Sequence, residues 1–108
     1  MKNFISIAIA TVMLVGCAKN EINLVNSGTI DWQQIEIKAG GYQLKIDCLE
    51  GGESKRFRFK SKKESGGLIV GNLNGKAITR EFGYFTPNLS ANFEIILDDD
   101  EGIEIKEY

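Results

Sequence analysis

The run Lys55-Arg56-Phe57-Arg58-Phe59-Lys60-Ser61-Lys62-Lys63 sets six cations in nine residues. Side chains alternate across a strand. Arg56, Arg58 and Lys60 therefore share one face at spacings of about 6–7 Å, and Phe57 and Phe59 share the other. Such a face suits an anionic partner: lipid phosphates, an acidic glycan or an acidic protein. Charge balance favours a plainer reading, because the chain holds 15 acidic residues against 13 basic ones. In that reading the stripe is a solvated sheet face paired across strands with carboxylates such as Glu36, Glu81 or Glu94.

Asp98-Asp99-Asp100-Glu101-Gly102 concentrates carboxylates in one turn. Calcium takes about six to eight oxygens from residues spaced along a loop, and consecutive Asp side chains project in different directions. The expectation is a solvated hairpin tip with no metal. The chain has no histidine, which removes Ser-His-Asp and Cys-His catalysis in their usual forms and most zinc sites. An enzyme would need a carboxylate pair, such as Asp47 with Glu50, or a lysine base. Nothing in the spacing marks a cleft, so no catalytic residue and no cofactor is expected. Cys48 shares strand parity with Leu44 and Ile46 and is expected to pack as a small buried hydrophobe. Tyr84, at a strand end beside Phe85, is expected to be buried with its hydroxyl bonded to backbone.

The amino terminus explains how these elements are held in place. Lys2 precedes an apolar run from Phe4 to Val15, broken only by Ser6 and Thr11. As a helix it reaches about 18 Å, too short for a hydrocarbon core of about 30 Å. A basic start, a short apolar centre and a small residue at the end make a secretory signal peptide. Leu14-Val15-Gly16-Cys17 resembles the lipobox of bacterial lipoprotein precursors. The resemblance implies cleavage between Gly16 and Cys17, with a diacylglycerol on the Cys17 sulfur. It implies residues 1–16 as signal peptide and 17–21 as a lipidated tether. Ala18, rather than Asp, after the cysteine implies the outer membrane of a Gram-negative cell, facing the periplasm. With Cys17 acylated, Cys48 has no partner in the chain, and the fold must rest on its core without a disulfide.

The remainder, residues 22–108, is of single-domain size. The whole chain carries a net charge of −2. The leader's only charge is Lys2, so the remainder is one unit more negative, which argues against nucleic-acid binding. From Ile22 onward the apolar pattern has period two and no sustained helical period. Strands are expected over Ile22–Val25, Ile30–Lys38, Tyr42–Cys48, Lys55–Lys60, Leu68–Leu73 and Ala77–Phe85, then around Phe93–Leu97 and from Ile103. Trp32 has the wrong parity for the face of Ile35, which predicts a β-bulge near Gln33. Asn74-Gly75 predicts a hairpin turn.

About eight short strands with frequent turn signals make the expected fold all-β. The specific expectation is a small antiparallel immunoglobulin-like β-sandwich, with a transthyretin-like sandwich or small barrel as the nearest alternative. Past the lipobox the pattern is similar to small bacterial lipoproteins with an immunoglobulin-like module. The expected function is a non-enzymatic, membrane-anchored binding or accessory module with an envelope protein partner. The alternative is an inhibitor or immunity-type lipoprotein that blocks an envelope-acting enzyme.

Overall fold

Period-two alternation resolves into eight strands in the computed structural model, which describes residues 19–108. They are β1 (Asn20–Asn26), β2 (Trp32–Ala39), β3 (Tyr42–Leu49), β4 (Ser54–Phe59), β5 (Ser65–Leu73), β6 (Lys76–Phe85), β7 (Asn92–Leu97) and β8 (Ile103–Glu107). The signal peptide 1–16, the cleavage point at Gly16 and Cys17, and the lipidation of Cys17 lie outside the described residues. β1 opens at Asn20, so Asn20 and Glu21 belong to the sheet although the sequence reading assigned them to the tether.

Two four-stranded sheets form, one in the order β4-β1-β7-β8 and the other β3-β2-β5-β6. The expectation of a wholly antiparallel sandwich needs one correction. β1 runs parallel to β7, with Glu21 beside Asn92 and Asn26 beside Leu97. The other five pairings are antiparallel. Local alternation carries no information about which distant strand lies alongside, or in which sense.

One apolar core joins the sheets. Ile22, Leu24, Ile95 and Leu97 from the first face Trp32, Ile37, Ile69 and Phe85 from the second, all fully buried. At one end, Phe82 and Phe85 of β6 meet Phe93 of β7 with ring centroids 5.4 and 5.5 Å away, and Phe85 meets Phe59 of β4 at 5.6 Å. Each buried ring contributes about 1.5–3 kcal/mol by desolvation, and tilted pairs add about 0.5–1.5 kcal/mol. Among the described residues, every strand and every core residue lies within Asn20–Glu107, a segment that pairs and packs with itself.

The predicted bulge is present. Gln34 has φ +49°, and the β2–β5 register shifts between Gln33 and Glu36. This lets Trp32 and Ile35 both point inward. The Asn74-Gly75 turn is also as expected, with φ of +54° and +82°, the mirror-image turn that matches strand twist. A second bulge was not foreseen: Gly83 has φ +62°, and the β5–β6 register shifts between Gly66 and Gly67.

Strand direction sorts the loops to two ends. The Asn20 end holds the β2–β3 turn, the β4–β5 loop and the β6–β7 loop. The Asn26 end holds the β1–β2, β3–β4, β5–β6 and β7–β8 connections.

Candidate functional site

β4 is an edge strand on β1, and its register puts Arg58 beside Glu21 and Arg56 beside Asn23. Both guanidinium groups converge on one carboxylate. Arg58 Nε lies 3.1 Å from Glu21 Oε1, and Arg56 Nε lies 3.4 Å from Glu21 Oε2. The stripe's partner is thus Glu21, rather than Glu36, Glu81 or Glu94. Glu21 was missed because it was read as tether. The arginines are more than half exposed, so each pair is worth at most about 1 kcal/mol. Lys60 falls beyond the end of β4 and is half-buried in the following loop. Phe59 is buried as expected, and Phe57 is half-buried against the core.

The acidic turn is used by backbone. Asp99 accepts hydrogen bonds from Thr29 N, Thr29 Oγ1 and Ile30 N, all at 2.9–3.0 Å. The donation from Ile30 N, then those from Thr29, hold its carboxyl below the usual Asp range. Gly28 makes room, since a Cβ there would meet Asp99 Oδ1. Asp98 Oδ1 accepts from the backbone N–H of Asp100 and Gly102, both at 2.8 Å. The Asp98 carbonyl accepts from Trp32 Nε1 at 3.1 Å. Glu101 pairs with Lys76. These carboxylates close the Asn26 end of the sandwich. Asn26 completes it: its Nδ2 donates to the carbonyls of Ile30 and Leu49.

Two expectations of burial need correction. Cys48 is exposed. β3 stays in register with β2 past the bulge, pairing Ile35 with Ile46 and Trp32 with Leu49. The face swap on β2 is thereby copied onto β3, and Leu49 takes the inward place. Crowding around the Cys48 sulfur, then the charges of Asp31, Glu50 and Glu53, push its thiol upward. That makes it a poorer nucleophile. Tyr84 is 58% exposed, because the Gly83 bulge sends Phe85 inward in its place. Its hydroxyl donates to Glu64 at 3.0 Å rather than to backbone. Gly83 was the available signal, since a Gly inside a strand pattern often marks a bulge.

Asp47 and Glu50 are both exposed, and Glu50's backbone N–H is taken by Glu53. Neither lines either of two shallow depressions in the described surface. One, about 170 Å³, lies between Lys19, Glu21, Arg58 and Asn92. The other, about 290 Å³, lies between Lys38, Tyr42, Lys63 and Ser65. Both are at the Asn20 end. Among the described residues no group of three or more Cys, Asp or Glu side chains is placed to hold a metal ion.

No family model matches the chain, and no curated protein does. Among solved structures it is similar to an NMR structure of a protein from Eubacterium rectale. That similarity is at 17% identity, with 85% of this chain and 90% of that one covered and a TM-score of 0.58. A structure described as a trapped toxin is similar at 11% identity, over 83% of this chain and 23% of that one, with a TM-score of 0.44. The first likeness shows a shared fold, which in this chain is an all-β pair of four-stranded sheets.

Proposed function

We propose that the chain is an envelope lipoprotein, anchored by acyl chains on Cys17, whose sandwich acts as a non-enzymatic binding or accessory module. Leu14-Val15-Gly16-Cys17 carries this reading. Only Ala18 and Lys19 separate Cys17 from Asn20, so three Cα steps place the first strand within about 11 Å of the proposed lipid's attachment point. Two or more acyl chains hold a protein stably on a bilayer, at about 0.8 kcal/mol per buried methylene. The sandwich is of the immunoglobulin-like kind. Supporting this are eight short strands divided evenly between two sheets and a fully buried Trp32 at the start of β2.

The surface supports protein binding over small-molecule chemistry. Both depressions are open and shallow. The Asp47–Glu50 pair lies outside them. Four strands, β3, β4, β6 and β8, sit at sheet edges, and an edge can add a partner's strand. The partner is another envelope protein, and neither nucleic acid nor a cofactor has a role.

The test is expression of the full chain in a bacterium with a lipoprotein pathway, followed by mass spectrometry of the membrane-extracted protein. The expected product begins at Cys17 and carries a diacylglyceryl thioether, and Cys17→Ser abolishes the modification. Recovery of the chain with its leader attached, or with an unmodified Cys17 thiol, refutes the proposal.

A further inference from the structure

The two ends of the sandwich carry opposite charge. Lys19, Lys38, Lys60, Lys62 and Lys63 all lie at the Asn20 end. Lys19 precedes Asn20 and Lys60 follows Phe59, the pair that ends the β1–β4 ladder. Lys62 and Lys63 rest on the Gly40-Gly41 turn, with Lys62 N donating to the Gly40 carbonyl and Lys62 Nζ 4.4 Å from the Tyr42 ring centroid. Lys38 and Lys63 flank the 290 Å³ depression. Among the described residues none of these five ammonium groups has a carboxylate within 4.0 Å, whereas Arg56, Arg58 and Lys76 do. The carboxylates at this end are Glu21, shared by the two arginines, Glu64, bonded to Tyr84, Glu81, level with Lys38 across Leu68, and Glu107, still fewer than the lysines and Arg58 together. The Asn26 end instead carries Asp31, Glu50, Glu53 and the 98–101 run.

A second observation falls on the same end. The exposed large apolar residues of the described chain are Tyr84, Leu89 and Tyr108. Tyr84 pairs beside Gly66 at the end of β6. Leu89 is in the β6–β7 loop next to Ser90, whose Oγ accepts from Lys19 N. Tyr108 N donates to the Asn92 carbonyl. Lysines among exposed tyrosine and leucine make the composition of a surface that lies in a headgroup layer: tyrosine rings favour that depth, and lysines there meet anionic lipid. A third observation is that the chain before Asn20 leaves from this end.

From these three we infer that the Asn20 end is a membrane-facing surface that docks on anionic phospholipid headgroups and holds the sandwich upright, acidic end outward. The orientation rests on the lipid-tether reading. The headgroup contact does not, because it is made by lysines of the folded domain. The depression between Lys38 and Lys63 offers a seat for one headgroup phosphate, approached from both sides by ammonium groups.

The experiment uses residues 17–108 carrying Cys17→Ser, which cannot be acylated there and retains all the strands and core residues of Asn20–Glu107. It is mixed with phosphatidylcholine vesicles with and without phosphatidylglycerol, and binding is read by sedimentation. Binding is expected only with phosphatidylglycerol, and it is lost in high salt. Each lysine at such a surface is worth about fivefold in partition. Lys19→Ala, Lys62→Ala and Lys63→Ala together should lower binding on the order of tenfold to a hundredfold. Lys45→Ala, Lys55→Ala and Lys76→Ala together remove the same charge elsewhere and should change it less than about threefold. Equal binding to both vesicle types, equal losses in the two triple variants, or retention by a soluble polyanion without vesicle binding overturns the inference. Mass spectrometry of Cys17 is a separate readout, so either idea can fail alone.

Discussion

Gly71 is the position where one added methyl group tests the packing of the core most sharply. It sits on β5 with the Trp32 indole against it. An ideal Cβ at 71 would lie 2.8 Å from Trp32 Cε3 and 3.1 Å from Cζ3. No positive φ demands glycine there, so Gly71→Ala tests steric fit alone. The indole has little room to yield. It is fully buried, and Nε1 is tied to the Asp98 carbonyl at 3.1 Å. Overfilling a packed core costs about 1–3 kcal/mol. Replacing glycine within a strand returns about 0.5–1 kcal/mol of chain entropy. The net expectation is a loss of about 1–2 kcal/mol, a large fraction of a small domain's stability. With a urea slope of about 1 kcal/mol/M for a chain this size, the midpoint falls by about 1–2 M. Unfolding is followed by the fluorescence of Trp32, the only tryptophan. The same substitution in a Trp32→Phe background, followed by circular dichroism, should cost much less, giving a coupling within the range for contacting residues. A Gly71→Ala midpoint equal to or above the parent's would refute the placement of the indole against β5.

Two further outcomes follow from titrating groups at the Asn26 end. The Asp99 carboxyl is held below its ordinary range by the N–H groups of Ile30 and Thr29. Its stabilisation is therefore full above the unfolded-state value and is lost as pH falls through the folded-state value. Melting temperature should drop below about pH 4. In Asp99→Asn it should be lower at neutral pH and flatter in acid; parallel profiles for parent and variant would contradict the hydrogen-bond assignment. Cys48 should react with a maleimide at neutral pH more slowly than it does in the unfolded chain, because crowding and the charges of Asp31, Glu50 and Glu53 raise its thiol. Added salt should speed that reaction by screening the carboxylates, and a rate indifferent to both folding and salt would remove the basis for it.

Sequence reasoning reached as far as its information was local. Alternation along each strand set which residues point inward, so Ile35, Ile37, Phe59, Phe93 and Ile95 were legible. A break in alternation was legible where two large apolar residues conflicted, as at Trp32 and Ile35. At Gly83 the signal was weaker, a glycine inside a strand pattern with no clash of parity beside it, and the shift it marks moves one aromatic out and the next one in. Cys48 failed for a longer-range reason. Its face is set by the bulge on β2, transmitted across an unbroken register. Glu21 failed because two polar residues at a strand start resemble a linker. Yet Asn20 is buried, with Oδ1 accepting from Ala91 N at 2.9 Å and Nδ2 donating to the Phe59 carbonyl at 3.4 Å. The convergence of lysines at one end was not readable at all, because it depends on the senses in which β1 pairs with β4 and β7.

Those senses also govern how the sandwich resists a pull on the first residue of β1. β1 is a central strand, paired with β4 on one side and β7 on the other. Ladder bonds in an antiparallel pair lie perpendicular to the strands. A pull along β1 from its first residue therefore shears the β1–β4 bonds together, and β7 grips the opposite side of the same strand. An edge strand pulled sideways would instead open bond by bond. The same antiparallel pairing brings the end of β4 beside Asn20, so the β4–β5 loop, with Lys60, Lys62 and Lys63, has to surround the place where the chain leaves. Had β4 run parallel to β1, those lysines would sit at the far end among the carboxylates. One pairing thus both clamps β1 and gathers positive charge around its first residue, and the opposite charge is left at the other end.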